Sequence, residues 1–225
     1  MSFISSPRYR SKTKFTIVLD MDETLLSSIL IEESEESPLE KIEHIYKDCE
    51  LYDIRSRSFK IPFYDPVEDV GSGVKYDCWG VKRPYLNEFL TFCFDYFNKV
   101  VLWSAGRKSY VRRLAREITR DTHPFDLVWT YDNCTNEGMG KPLKKLLKNN
   151  PNLGDISQVF IVDDKKSSIQ ENKKNGIVIP AYDPILEIES LRKDDLCLIK
   201  LKNWFSKSEV IESKDVRTIK KNKIF

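Results

Sequence analysis

The stretch Asp20-Met21-Asp22-Glu23-Thr24-Leu25 follows directly on Phe15-Thr16-Ile17-Val18-Leu19, and these two stretches decide the fold. The apolar run is short and rich in β-branched side chains, which is typical of a strand buried on both faces of a sheet. It ends abruptly in carboxylates. Because ligands of open α/β sheets bind outside the carboxyl ends of the strands, the acidic stretch is the first candidate site.

Farther along the chain, from Pro84 onward, apolar strand patterns alternate with amphipathic helix patterns. This alternation predicts an α/β fold: a parallel, Rossmann-like sheet with right-handed crossovers, flanked by helices. The predicted strands are 100–103, 126–129, 159–162 and 177–179. The predicted helices are 84–98, 108–119, 142–148, one through Ile169, and a long one over about 185–205.

Between the first strand and Pro84 the pattern is different. Short alternating stretches and turn residues predict a β-rich insertion over about residues 30–81. Ser37-Pro38-Leu39-Glu40 has the form of a helix start inside it. We therefore expect a basic N-terminal arm over 1–14, one domain over 15–206 with this insertion, and a polar basic tail over 207–225 whose charges are solvated.

Composition excludes several classes of protein. Of the 225 residues 40% are hydrophobic, which excludes a generally disordered chain. The net charge of +2 is too small to require a nucleic-acid partner. The five cysteines are odd in number and lack C-x-x-C spacing, so neither a disulfide framework nor a zinc knuckle is indicated. No apolar run approaches a membrane span. We expect a reduced, soluble, intracellular protein.

Polar groups follow two further predicted strands. Ser104-Ala105-Gly106 ends one, Asp163-Asp164 ends another, and Lys141 precedes a helix between them. If these strand ends share one sheet edge, carboxylates, a hydroxyl and an ammonium converge. This set suits phosphoryl transfer, because a carboxylate can attack phosphorus, Mg²⁺ takes carboxylate oxygens, and a lysine can hold phosphoryl oxygens.

Other readings of these motifs fail on spacing. An EF-hand loop begun at Asp20 would need glycine and glutamate where Leu25 and Ile31 stand. A P-loop ending at Lys141 would need glycine at Thr135 and a hydroxyl residue at Pro142.

The acidic stretch resembles the D-x-D-x-T-L signature of the haloacid-dehalogenase-like (HAD-like) phosphatases. It is most similar to the branch that dephosphorylates the C-terminal repeat domain (CTD) of RNA polymerase II. The resemblance covers about residues 15–182. The motif sequences are most similar to those of the member that carries a ubiquitin-like domain, although the arm before Phe15 is too short for such a domain. The supporting motifs stand in family order: 82–90, Leu102-Trp103-Ser104-Ala105, Gly140-Lys141-Pro142-Leu143 and Val162-Asp163-Asp164.

The resemblance implies a role for each matched residue. Asp20 would be the nucleophile, Asp22 the general acid and then base, and Lys141 the cation that neutralises the phosphoryl oxygens. Mg²⁺ would be bound by Asp20, the Asp22 backbone carbonyl and Asp164, although which of Asp163 and Asp164 contacts it stays open. The residues expected on the substrate side are Thr24, which orients the first loop, with Ser104, Arg107 and Tyr110.

Two departures concern the peptide substrate. Arg107 stands where small family members line a proline pocket with an apolar residue, and Tyr131-Asp132-Asn133-Cys134 lacks their arginine. We expect Arg107 to face solvent or an anion, because burying an unpaired guanidinium is costly. Two roles stay open for Arg83: a substrate contact and a structural salt bridge.

The function expected from the resemblance is Mg²⁺-dependent dephosphorylation of a phosphoserine-proline peptide of the RNA polymerase II repeats, through an aspartyl-phosphate at Asp20. We expect it to act in the nucleus, with no membrane and no dedicated nucleic-acid site. Two alternatives stay open. One is a phosphatase of another phosphoprotein, a nucleic-acid end or a small metabolite. The other is a catalytically weak phosphopeptide-binding module.

Overall fold

The computed structural model describes residues 13–32, 52–67, 71–136, 138, 140–184 and 188–225. The predicted helix start at 37–40 and most of the N-terminal arm lie outside these residues. The strands of the described residues, in chain order, are β1 (Thr16–Leu19), β2 (Leu26–Glu32), β3 (Ser58–Tyr64), β4 (Lys75–Lys82), β5 (Lys99–Trp103), β6 (Leu127–Trp129), β7 (Val159–Asp163) and β8 (Gly176–Val178). The α-helices are α1 (Tyr52–Arg57), α2 (Leu86–Tyr96), α3 (Lys108–Ile118), α4 (Leu143–Asn149), α5 (Ile188–Arg192), α6 (Cys197–Phe205) and α7 (Ser208–Ile211).

Five strands form the predicted parallel sheet, in the order β6-β5-β1-β7-β8. The central strand β1 is apolar throughout because both of its faces are covered: Ile17 and Leu19 pack into one core cluster and Val18 into the other. The chain moves outward from β1 through β5 to β6 and then crosses to β7 on the other side. The carboxyl end of β1 is therefore the topological switch point, where open sheets of this type bind ligands.

The β-rich insertion is confirmed as a three-stranded antiparallel sheet in the order β2-β4-β3. It begins earlier than the sequence suggested, since β2 starts at Leu26, immediately after the acidic loop. The first strand of this sheet therefore begins directly after the acidic loop of the candidate site. Strand β3 of the sheet packs against α3, the helix that follows β5.

Two predicted helices are wrong. The segment through Ile169 is a turn with a short 3₁₀ helix, Gln170–Asn172, in which the Asn172 amide accepts from the Leu143 N–H and donates to the Lys141 carbonyl. The long helix over 185–205 is two helices, α5 and α6. Asp195 lies between them. Its carboxylate accepts the N–H of Cys197, the first residue of α6, and pairs with Arg83.

The segment after residue 206 carries exposed charges on a packed backbone. Lys214, Arg217, Lys220 and Lys223 are exposed, as expected for solvated charges. Its apolar side chains join the main core instead: Val210, Val216 and Ile224. The boundaries proposed from the sequence for arm, domain and tail stay predictions. Among the described residues, no helix is long and apolar enough to cross a membrane.

Candidate active site

Three loops meet at the carboxyl edge of the parallel sheet. Asp20 follows β1, Ser104 follows β5, and Asp163 and Asp164 stand at the end of β7. A cleft of about 440 Å³ opens at this edge. Its lining includes the predicted catalytic residues Asp20, Asp22 and Lys141, together with Asp163 and Asp164.

Lys141 lies at the bottom of the cleft between two carboxylates. Its Nζ is 2.5 Å from Asp20 Oδ1 and 2.7 Å from Asp163 Oδ2, and the side chain is almost fully buried. Burial alone would lower the pKa of Lys141, but the charges of Asp20 and Asp163 outweigh it and raise that pKa. The ammonium is therefore charged at neutral pH and can screen the negative charge of an incoming phosphoryl group.

Asp20, Asp163 and Asp164 form a group of three carboxylates whose nearest oxygens all lie within 4.8 Å of one another. Burial, and then the charges of Asp20 and Asp163, raise the pKa of Asp164 to about 7. A hard divalent cation would relieve this repulsion, and oxygen donors are the ligands that Mg²⁺ prefers. The chemistry of the donor set therefore fits Mg²⁺.

The contacts of Asp163 and Asp164 differ. Both oxygens of Asp163 are occupied, Oδ2 by Lys141 and Oδ1 by the N–H of Lys165 at 2.8 Å. Asp164 accepts one long hydrogen bond, from the Thr24 hydroxyl at 3.4 Å. The Asp164 carboxylate is thus the more available of the two for a metal, and the Thr24 side chain, which is fully buried, orients it.

The Asp22 carboxylate is held by two hydroxyl donors. Ser104 Oγ donates to Oδ2 at 3.1 Å, and the Tyr110 hydroxyl donates to Oδ1. Burial raises the pKa of Asp22 to about 6 even though both hydroxyls oppose the shift. A carboxyl group that titrates near neutrality suits a residue that must both give and take a proton.

Ser104 and Tyr110 therefore lie behind Asp22. Ser104 is fully buried and accepts the N–H of Gly106 at 3.0 Å, while Tyr110 also shares a 2.7 Å hydrogen bond with Ser28 of β2. A Cβ at Gly106 would lie 2.8 Å from the Tyr110 ring, so this close approach requires glycine. The predicted contacts of Ser104 and Tyr110 with substrate stay predictions. Nothing in the sequence singled out Ser28.

Arg107 faces an anion, but one supplied by the chain itself. Its guanidinium is 2.9 Å from Asp65 Oδ2, and its side chain is 59% exposed. Asp65, in the β3–β4 connection, is buried and also accepts from the Ser109 hydroxyl and the Ser72 N–H. This pair joins the tip of the insertion to the start of α3. Nothing in the sequence singled out Asp65.

Arg83 is a structural residue beneath the acidic loop. It has no solvent exposure and forms a two-pronged pair with Asp195, with Nε–Oδ1 at 3.1 Å and NH2–Oδ2 at 2.8 Å. It also donates to the carbonyl oxygens of Thr24 and Pro180. One buried guanidinium thus joins the loop after β1 to the C-terminal helices.

We expect Arg83→Met to lower the free energy of unfolding by about 3 kcal/mol, because it leaves the Asp195 carboxylate and two carbonyls without their donor. Urea denaturation measures this loss. The control is Lys165→Met, whose exposed pair with Glu23 should contribute about 1 kcal/mol or less. Equal losses in the two variants would contradict the structural role of Arg83.

Comparison with known proteins agrees with this geometry. A family model described as NLI interacting factor-like phosphatase matches residues 15–217. The chain belongs to this family. The expected HAD-like phosphatase resemblance is thereby confirmed, and the match extends past the last motif, into the C-terminal segment. No curated protein matches the chain in a sequence search.

Two solved structures have the same fold as this family member. One is Fcp1, described as an essential RNA polymerase II CTD phosphatase, with 19% sequence identity and a TM-score of 0.62 over 79% of this chain and 44% of that chain. The other is a variant of the fission yeast RNA polymerase II CTD phosphatase Fcp1 bound to beryllium fluoride. It has 17% identity and a TM-score of 0.61 over 86% of this chain and 50% of that chain. This chain thus spans about half the length of either structure.

Proposed function

We propose that this family member is a Mg²⁺-dependent phosphatase that hydrolyses phosphoserine or phosphothreonine in a protein through an aspartyl-phosphate at Asp20. The observation that carries the proposal is the pairing of two unlike carboxyl groups in one cleft. Asp20 is charge-paired with Lys141, while the pKa of Asp22 is raised to about 6. Two carboxyl groups in such different environments can take different roles, one as the nucleophile and the other as the general acid.

The reaction would proceed in two displacements. A carboxylate oxygen of Asp20 attacks phosphorus, the bond to the serine oxygen breaks, and the Asp22 carboxyl group donates its proton to that leaving oxygen. Water then attacks the aspartyl-phosphate, Asp22 takes the proton, and phosphate leaves with Asp20 restored. Lys141 holds the phosphoryl oxygens in both steps. Asp20, Asp164 and the Asp22 carbonyl would hold Mg²⁺, which supplies positive charge against the repulsion between carboxylate and phosphoryl oxygens.

We infer the substrate class from the cleft and the relatives together. Among the described residues, the insertion contributes no side chain to the cleft lining, and a cleft without a cap suits a segment of a macromolecule. The Fcp1 structures are described as RNA polymerase II CTD phosphatases. The proposed substrate is accordingly a phosphoserine-proline segment of the polymerase repeats, and this substrate implies a nuclear location.

We expect repeat peptides that carry one phosphate at a defined serine to be dephosphorylated with Mg²⁺ and to be inert after EDTA treatment. Phosphate release for each peptide tests both points. Asp164→Asn should weaken Mg²⁺ binding by roughly 10-fold or more in calorimetry, because it removes a ligand charge. The exposed Asp194→Asn is the matched control. Full activity in EDTA, or hydrolysis of nucleotides and small metabolites in preference to every peptide, would reject the proposal.

A further inference from the structure

A second groove, of about 250 Å³, lies between β3 of the insertion and the outer face of α3. It shares no residue with the cleft described above. Four of the side chains along it are cations: Lys60, Arg113, Arg116 and Arg120. The groove is therefore a concave surface with strong positive charge.

Part of this charge is neutralised within the chain. Glu117, the carboxylate in the lining, already pairs with Lys82 at 3.4 Å and with Arg120. Lys60 pairs with Asp77 at 2.7 Å. In the part of the chain that the structure describes, Arg113 and Arg116 have no acidic partner, and both are exposed.

The placement of these arginines opposes helix stability. Arg113 and Arg116 are three residues apart on α3, and Arg112 and Arg116 are four apart, spacings at which like charges repel. Glu117 is the single carboxylate in the helix sequence. Guanidinium groups arranged in this way match the oxygens of a phosphate group, because each presents a planar fork of donors.

The groove is also connected to the general acid. Tyr110, whose hydroxyl donates to Asp22, lies on the same helix, one turn before Arg113. At 1.5 Å per residue, Arg113 and Arg116 lie about 4.5 and 9 Å farther along the axis. An extended peptide covers about 3.3 Å per residue, so a segment that leaves the cleft can reach the groove within a few residues.

We propose that this groove binds a second phosphate group on the same peptide, about three to six residues from the phosphoserine that reacts. The proposal rests on the proposed function, since it extends the same substrate. Arg107, which Asp65 neutralises, is less suited to this role than Arg113 and Arg116. The groove would make the enzyme prefer segments that carry several phosphates.

The test measures binding separately from turnover. In an Asp20→Asn background, fluorescence anisotropy gives the Kd of labelled peptides with one phosphoserine, or with a second one placed two to eight residues away. Arg113→Ala with Arg116→Ala should weaken binding of the doubly phosphorylated peptide roughly 5- to 10-fold and that of the singly phosphorylated peptide less than about 2-fold. The difference should shrink at high salt. The control, Arg112→Ala with Lys148→Ala, removes the same charge from exposed positions outside the groove.

Three results would overturn the groove assignment. They are an equal loss on both peptides, an equal loss in the control variant, or a larger loss for a single-stranded oligonucleotide of matched charge than for the doubly phosphorylated peptide. Hydrolysis of an aryl phosphate by the wild-type chain tests the phosphatase independently. If that hydrolysis is absent and the anisotropy difference persists, the phosphatase fails and the groove stands. If hydrolysis is present without the difference, the groove alone fails.

Discussion

Asp20→Asn is expected to abolish turnover, with a loss of roughly 10⁴-fold or more, because an amide is a poor nucleophile and a weaker metal ligand. The fold should survive, since the amide oxygen can still accept from Lys141, and Lys141 keeps its 2.7 Å contact with Asp163. Steady-state kinetics on a phosphoserine peptide measure the loss. Beryllium fluoride, a mimic of the acyl-phosphate, should bind the wild-type chain and not the variant.

The control for this prediction lies in the same group of carboxylates. Asp163→Asn removes one charge from the group but leaves the proposed nucleophile in place. Acid quenching of a reaction with radiolabelled phosphopeptide should therefore trap label on the wild-type chain and on Asp163→Asn, but not on Asp20→Asn. Turnover near the wild-type rate in Asp20→Asn, or label trapped on it, would falsify the assignment of Asp20.

Asp22→Asn is expected to reduce kcat on a phosphoserine peptide by roughly 10²- to 10⁴-fold, the usual contribution of a positioned general acid–base group. The asparagine oxygen can accept from one of the two hydroxyls, Ser104 or Tyr110, and its NH₂ group can donate to the other, so the local packing should remain. Mg²⁺ affinity should change little, because the proposed contact of this residue with the metal is its backbone carbonyl. Parallel kinetics and calorimetry separate these two effects.

The choice of substrate makes the second prediction specific. An aryl phosphate has a good leaving group and needs less protonation. Asp22→Asn should therefore reduce kcat on an aryl phosphate clearly less than kcat on the phosphoserine peptide. Glu23→Gln changes the same charge one residue away, at a partly exposed side chain that pairs with Lys165. It should leave both rates within about 2-fold, as is usual for surface positions. Equal losses for the two substrates in Asp22→Asn would exclude the general-acid role.

The parallel sheet was predictable because its strands are short apolar runs separated by amphipathic helices. Such runs can be buried only where both sheet faces are covered, as Val18 and its neighbours Ile17 and Leu19 are. The prediction of one long helix over 185–205 was wrong, because a contact distant in the chain interrupts it. Its apolar periodicity is continuous, but Asp195 pairs with Arg83, 112 residues away, and accepts the N–H of Cys197, where a new helix begins. Periodicity carries no information about such a partner.

In the candidate site, too, local sequence predicted the chemical groups but not their long-range contacts. From the sequence alone it followed that Asp20, Asp22 and the 163–164 pair share one edge, because the strand ends of a parallel sheet do so. Lys141 precedes a helix, and its role in the site followed from the family resemblance. Only the tertiary structure decided how these groups pair. Tyr110 reaches Asp22 across 88 residues, and Arg107 reaches Asp65 across 42. These contacts depend on how α3 packs against the parallel sheet and against the insertion sheet. That packing is set by the shapes of surfaces distant in the chain rather than by any local pattern of residues.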